Sequence, residues 1–357
     1  MEKNSNRNIT IDVLRGIAIL LVVLGHTMTG CTNNSESSFL FNVLWTIQMP
    51  LFFLISGYVT KYSRTVATLK DYIEFVGKKT FSYLLPWAVW TFFIRGIVFG
   101  ETSYLNIKFI MFNMDTGYWF LFSLWTIVMI YGAARFICEK IAGNRSELFQ
   151  FLTLTLLYFL GMVILALIGF KLSLSFLCIK LTLYYMPVYF LGYMFSEFEK
   201  RIDINKLSFL TESIVAIALA VWIGLMLRFN FSAIDDNLTG IMLRITASLS
   251  GSIAVCGLIS KSIKKISSLK IWKFLSYAGK KSLEIYLMHY LLLSMVRYEP
   301  LPKFASPIGV LSVMFNYLLT VSLTLAAIIV IKQNRYLPQK EIWKIKQILA
   351  TKRDMEK

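Results

Sequence analysis

Apolar runs of about 20 residues recur along the whole chain, and lipid has no partner to offer an unpaired N–H or C=O, so each run has to satisfy its backbone internally as a helix. The runs fall near residues 9 to 30, 38 to 60, 81 to 99, 118 to 138, 148 to 169, 177 to 196, 208 to 229, 240 to 259, 277 to 298 and 307 to 331. An all-α, polytopic transmembrane bundle of ten helices is therefore expected. Charged residues make up 16% of the 357 positions, well under the roughly 25% of soluble domains. The connections between runs are short, with no repeat and no Pro, Gly or Ser tract to act as a linker. Residues 1 to 331 thus read as one membrane domain and 332 to 357 as a basic tail.

The formal net charge of +17 would suggest nucleic acid as a partner in a soluble protein, but its distribution points to topology instead. Of the 37 Lys and Arg, 28 fall on one set of connections and termini, and Lys108, Lys171 and Lys303 fall on the other set. The remaining six, Arg15, Arg95, Lys180, Arg228, Arg244 and Arg297, lie within or at the edge of spans. The positive-inside rule then puts both termini in the cytoplasm, with anionic lipid rather than nucleic acid as the polyanion met. Three basic stretches interleaved with apolar residues, Lys61 to Lys79, Lys261 to Lys281 and the tail with Lys344 and Lys346, suit helices lying in the headgroup layer. The first span has a polar leader but no convincing small-residue cleavage site, so it reads as a retained helix. Cys31, Cys138, Cys178 and Cys256 are scattered without metal-ligand spacing, so neither zinc nor a disulfide framework is expected.

Two histidines serve the whole chain, and one, His26, ends the first span eleven residues after Arg15. At about 100° per residue this spacing leaves the two side chains about 20° apart in azimuth and roughly 16 Å apart along the axis. Asp12, three residues before Arg15, can pair with the guanidinium and lower the cost of burying it. Arg offers a planar fork of donors to phosphate or carboxylate, and a neutral imidazole can take a proton from a hydroxyl. One helix thus presents an anion anchor and a base. The plainer alternative is that Arg15 snorkels to the interface and His26 bonds a neighbouring helix.

The run Ile11-Asp12-Val13-Leu14-Arg15-Gly16-Ile17-Ala18 through Gly25-His26 resembles the amino-terminal signature of the acyltransferase 3 family of integral-membrane acyltransferases, in which ten residues separate Arg from His. The likeness continues through Gln48-Met49-Pro50-Leu51-Phe52-Phe53-Leu54-Ile55-Ser56-Gly57-Tyr58, Lys78-Lys79 before Leu84-Leu85-Pro86-Trp87, and Tyr118-Trp119-Phe120-Leu121. It extends to Phe190-Leu191-Gly192-Tyr193 and Ser282-Leu283-Glu284-Ile285-Tyr286-Leu287-Met288-His289. These landmarks arrive in order over nearly the whole chain.

The resemblance implies a bacterial inner-membrane enzyme that transfers an acyl group, usually acetyl, from acyl-CoA to a hydroxyl of a sugar or surface glycan, lipid-linked or free. Acyl-CoA would be a co-substrate, with no tightly bound cofactor and no metal. Carried onto this chain, His26 is the catalytic base, and Arg15 holds the donor's anionic part or orders the site. Lys78 and Lys79 are candidates for the CoA phosphates, with lipid anchoring as the plainer alternative. Asp12, Trp119 and His289 are candidate acceptor-side residues. Trp119 at a span end also suits an interface belt, and His289 a core histidine bonded to a neighbouring helix. Gln48 needs a polar partner, for which a helix-to-helix hydrogen bond is the first expectation, and Ser56-Gly57 reads as close packing.

Relatives that modify bacterial O-antigen carry a Trp-Ser-Leu pattern closing with Glu where this chain has Trp119-Phe120-Leu121-Phe122-Ser123-Leu124-Trp125, which leaves the acceptor open. The segment after Lys332 is too short for the esterase-like domain fused to many relatives, so transfer would be completed by the bundle or by a separate partner. The rival reading is a transporter or flippase of lipid-linked sugar, with Arg244, Lys180 and Tyr184-Tyr185 near Pro187 lining a path. That class predicts internal pseudo-symmetry, and no repeat of spans is visible. A third reading is a sensing or scaffold protein that keeps the fold without catalysis, against which the presence of both Arg15 and His26 argues.

Overall fold

The computed structural model describes residues 8–63, 66–201, 208–234, 237–266, 268–296 and 300–333. The leading residues 1–7, Arg64, Arg297 and the tail from position 334, with Lys344 and Lys346, lie outside the described residues. Among those described the chain is helical, with a single isolated bridge between Asn33 and Lys303. The helices are α1 (Ile9–Cys31), α2 (Phe39–Tyr58), α3 (Leu69–Ala88), α4 (Ile107–Phe112), α5 (Trp119–Ala142) and α6 (Glu147–Leu172). They continue as α7 (Ile179–Arg201), α8 (Ser208–Arg228), α9 (Leu238–Lys265), α10 (Lys270–Lys280), α11 (Ser282–Val296) and α12 (Pro307–Gln333). Nine helical segments among the described residues are long and apolar enough to cross a membrane, and α11 is a shorter apolar helix. This is an integral membrane protein with multiple spans.

The structure departs from the expected boundaries in two places. The third span extends back to Leu69 and runs on through a π-helical segment, Val89–Val98. The basic residues from Lys70 to Lys79 are therefore the first turns of α3, rather than a separate helix on the surface. A capping box at Thr68 and Asp71 starts α3 there, each side chain bonding the other residue's backbone N–H. The ninth expected span is broken at Lys281, where α10 ends and α11 begins. Lys281 there turns its ammonium onto Glu284 at 2.6 Å.

Contacts divide the chain into two compact units, one of residues 1–22 and 36–280 and one of 23–35 and 281–357. In the first, α2 packs along α7, α3 on α5, α5 on α6 and α8 on α9. The apolar windows of α6 and α8 are only 11% buried, whereas that of α2 is 67% buried, so α6 and α8 present lipid-compatible surface. Two crossings bring backbones into direct contact. A methyl group at Gly57 would collide with the carbonyl of Tyr189, and one at Gly192 with that of Leu54, so α2 and α7 meet through a reciprocal pair of glycines. The same pattern joins α1 to α10, where Gly16 lies against the carbonyl of Leu275 and Gly279 against that of Asp12. Small residues permit such approach where the lipid gives helices no hydrophobic reason to associate.

Arg95, at the edge of the third span, is buried at 8% exposure in the π-helical turn. Its guanidinium donates to both carboxylate oxygens of Glu101, at 3.1 and 2.6 Å, and lies 3.9 Å from the Tyr104 ring centroid. This charge is thus compensated locally.

The second unit comprises the end of α1 with α11 and α12. Asn33, just past α1, holds the segment before α12 by three bonds: its N–H donates to Pro302 O at 2.9 Å, its side-chain amide to Leu301 O at 2.9 Å, and its carbonyl accepts from Phe304 N–H at 3.0 Å. Gly30 packs against the side chain of Leu293 on α11. These contacts bind the last turns of α1 to helices from the far end of the sequence.

Candidate functional site

In the first unit, Arg15 opens onto a cavity of about 260 Å³ that Lys79 shares. Its walls include the phenols of Tyr62, Tyr83, Tyr131 and Tyr189, and the hydroxyl residues Ser56, Ser63 and Thr60. No acidic residue lies among the described lining residues, and Arg15 and Lys79 are close enough to act on one another electrostatically. Two basic side chains opening onto one small, hydroxyl-lined space make an arrangement chemically suited to phosphate or carboxylate. Lys79 also lies 5.8 Å from the ring centroids of Phe75 and Tyr83, which support the ammonium beside the cavity.

Lys78 goes elsewhere. One residue of helix turns the side chain about 100° away, and Lys78 instead pairs with Glu74 at 3.1 Å on an exposed surface. The adjacent lysines, equivalent as candidates in the sequence, are thus separated by the fold. Asp12, one turn before Arg15, is buried at 2% exposure, with its carbonyl against Gly279. The Gly16 and Gly57 crossings fall beside the lining residues Arg15 and Ser56. Ser56-Gly57, expected only to pack, therefore contributes both a tight crossing and a wall.

In the second unit the two histidines meet. The rings of His26 and His289 lie 5.3 Å apart between centroids with planes inclined at 38°. Tyr290 stands edge-on to His26 at 5.5 Å, and Tyr286 lies 6.2 Å from His289. His26 is exposed although it belongs to a membrane-spanning helix, whereas His289 is buried at 2% exposure. His289 Nδ1–H donates to the carbonyl of Ile285 at 2.9 Å, one turn earlier in α11. Its Nε2 is buried with no hydrogen-bond partner among the described residues. The expected bond from His289 to a neighbouring helix is replaced by one within α11, and the ring faces His26. Tyr290 was not singled out in the sequence, and its position beside His289 was the only available signal.

Trp119 opens α5 and is half-buried, with one face stacked on Tyr185 at 5.6 Å and 16°. Tyr185 in turn stacks on the fully buried Phe53 at 4.3 Å. The tryptophan therefore ends an aromatic column, with part of its surface still accessible. Gln48 does not make the helix-to-helix bond expected of its oxygen, since Oε1 is buried without a partner among the described residues. Arg244, proposed as a lining of a transport path, donates to the carbonyl of Ile234 and lies 5.7 Å from the Trp45 ring. The Tyr184 hydroxyl bonds the Arg244 carbonyl at 3.0 Å and the Ser248 hydroxyl at 2.5 Å. These contacts give Arg244 and Tyr184 structural partners. Among the described residues, no group of three or more His, Cys, Asp or Glu is placed to hold a metal ion.

The described residues thus form a multi-span helical protein with a basic cavity and a pair of facing histidines. A family model described as an acyltransferase domain matches residues 8–332, and the chain belongs to the acyltransferase 3 family. It is similar to the nodulation protein NolL of Sinorhizobium fredii, with 29% identity over 208 residues, covering 54% of this chain and 50% of that protein. It is also similar to the nodulation protein NolL of Mesorhizobium japonicum, with 27% identity over 128 residues, covering 33% of this chain and 34% of that protein. The matches therefore span half or less of these relatives. No solved structure matches the chain.

Proposed function

We propose that this protein is an O-acyltransferase that moves an acyl group, acetyl in the simplest case, from acyl-CoA to a hydroxyl of a cell-envelope sugar or polysaccharide. Family membership supports acyl transfer. The observation that carries the choice of donor is the hydroxyl-lined cavity onto which both Arg15 and Lys79 open. At about 260 Å³ it falls short of the roughly 300–1,000 Å³ that encloses a whole drug-sized ligand. It suits the phosphate-bearing part of CoA, leaving the flexible pantetheine arm to extend beyond it.

His26 acts as the general base. It is exposed, so an acceptor hydroxyl can reach it, and it leaves the same helix as Arg15. As His26 takes the hydroxyl proton, the oxygen attacks the thioester carbonyl and the C–S bond breaks. The CoA thiolate departs and takes the proton from the imidazolium, which restores neutral His26. Trp119 and Asp12 support the acceptor side, Trp119 through its accessible surface and Asp12 through the placement of α1. The distribution of 28 Lys and Arg on one side supports cytoplasmic termini, a cytosolic donor and residence in the inner membrane of a bacterium. The basic stretches engage anionic lipid.

The test is to incubate the purified protein with acetyl-labelled acetyl-CoA and a panel of envelope glycans, beside His26→Ala and Arg15→Ala. Transfer by the unaltered chain and loss in both variants is the expected result. Equal transfer by all three would overturn the reading.

A further inference from the structure

Neutral imidazole has one N–H and one bare nitrogen, and which is which follows from the bonds each can make. A backbone carbonyl only accepts, so the 2.9 Å contact with Ile285 O fixes the hydrogen of His289 on Nδ1. Nε2 is then the lone-pair nitrogen, buried and without a partner among the described residues. Leaving a buried acceptor in that state is destabilising, so the position calls for a donor. The ring that faces His289 at 5.3 Å is the other histidine of the chain. Two five-membered rings joined edge to edge by an N–H···N bond of about 3 Å have centroids about this far apart.

We infer that His289 is a positioning residue for His26: its fixed, bare Nε2 accepts the N–H of His26 when that exposed ring turns edge-on, and so holds His26 in the tautomer whose other nitrogen is free to receive a proton. This inference rests on the proposed role of His26 as base. The proton count follows directly. Before transfer His26 has one hydrogen, on the nitrogen directed at His289. The acceptor hydroxyl adds a second on the opposite nitrogen, and the resulting imidazolium is stabilised by the His289 lone pair. The departing thiolate removes that second hydrogen, and the first never leaves. His289 therefore stays neutral throughout, because its Nε2 accepts a hydrogen bond without taking the proton.

Tyr290, edge-on to His26, limits the orientations open to that ring from another side. Gly30 against Leu293 of α11, with the Asn33 bonds to Leu301, Pro302 and Phe304, keeps the end of α1 beside the helix that bears His289. A histidine serving only the packing of α11 would need its bond to Ile285 and nothing more. A polar nitrogen opposite His26 would then have no use.

The presence of just two histidines makes a direct test practical. The full chain, with ring-¹⁵N histidine and reconstituted in lipid nanodiscs, gives two imidazole spin systems, assigned by His26→Gln and His289→Gln. The expected spectrum has His289 protonated on Nδ1 and His26 in a single tautomer. His289→Leu should move His26 to a mixture of tautomers. His289→Gln, whose amide oxygen restores an acceptor near the position of Nε2, should keep the single form. In labelled-acetyl transfer from acetyl-CoA to isolated envelope polysaccharide, His289→Leu should lower kcat by about tenfold or more with KM for acetyl-CoA within about threefold, and His289→Gln should recover most of the loss.

A His26 spectrum unaltered by His289→Leu, or a Gln variant no better than Leu, would overturn the inference. Transfer that survives His26→Ala would instead overturn the base assignment. The tautomer measurement needs no acceptor and judges the pairing separately. Loss of folding in the Leu variant would show as loss of acetyl-CoA affinity in that variant alone, and the Gln spectrum then decides.

Discussion

His26 and His289 come from opposite ends of the sequence, yet their rings lie 5.3 Å apart with His26 exposed and His289 buried. Pairing an accessible imidazole with an inaccessible one gives them unequal tasks. The exposed ring can meet a substrate, and the buried ring can only act through its neighbour.

Replacing His26 with Ala should therefore lower acyl transfer by about 10²- to 10⁴-fold, the usual contribution of a positioned base. Because the side chain is exposed, thermal stability in detergent should change little. A comparison of initial transfer rate with melting temperature checks both halves, and a large loss of stability would assign His26 to packing.

The two lysines of the Lys78-Lys79 pair should separate cleanly. Removing Lys79 as Ala should raise KM for acetyl-CoA by about tenfold with a smaller change in kcat, since a hydrogen bond to a charged group contributes about 1.5–3 kcal/mol. Lys78, exposed and paired with Glu74 within its own helix, should tolerate Ala with less than about twofold change. Arg15→Lys should restore little of the loss in Arg15→Ala, because an ammonium cannot reproduce the two-pronged guanidinium. Steady-state kinetics with varied donor would show whether the order is instead reversed.

Rate should rise with pH from the acid side and then level off. An imidazolium has no lone pair to accept the hydroxyl proton, so the fraction of enzyme with neutral His26 sets the rate. The group concerned loses activity on protonation, so the limb lies at low pH and not at high pH. Measuring kcat under saturating substrates, with chemistry limiting, gives the profile. Its disappearance in the residual activity of His26→Ala would tie it to this ring.

Adding a single methyl at the helix crossings should damage folding more than function would explain. Gly16→Ala, Gly279→Ala, Gly57→Ala and Gly192→Ala each drive a carbon into a backbone carbonyl, for which overpacking costs about 1–3 kcal/mol. Gly224→Ala, with nothing within 4 Å of the new carbon, should be neutral. Thermal melts of the five variants make the comparison, and equal melting would show that the crossings can relax.

Much of the fold was legible because lipid leaves few options. Each apolar run had to be a helix, and the eleven-residue step from Arg15 to His26 already implied one face. What was less legible depended on contacts distant in sequence. Nothing in Lys78-Lys79 distinguishes one lysine from the other until Tyr83 and Arg15 define the cavity. The break at Lys281 was partly legible, since the basic stretch Lys261 to Lys281 already read as a headgroup-layer segment, but Tyr277 to Lys280 fitted the start of the ninth span equally well, and the approach of Gly279 to Asp12 gives that segment its place in α10. The meeting of His26 with His289 depends on Asn33 closing onto residues 301–304, a pairing no local pattern announces. The tail, expected to lie on the membrane, is outside the described residues.

The reciprocal glycines set Arg15 by main chain resting on main chain, with no side chain intervening. The stretch of α1 that bears it is consequently insulated from changes in the phenols and hydroxyls around the cavity, which can be exchanged without moving that backbone. Such a scaffold can diverge in what it recognises while its anchor stays put, and new specificities should arise by altering the surrounding walls rather than the crossings.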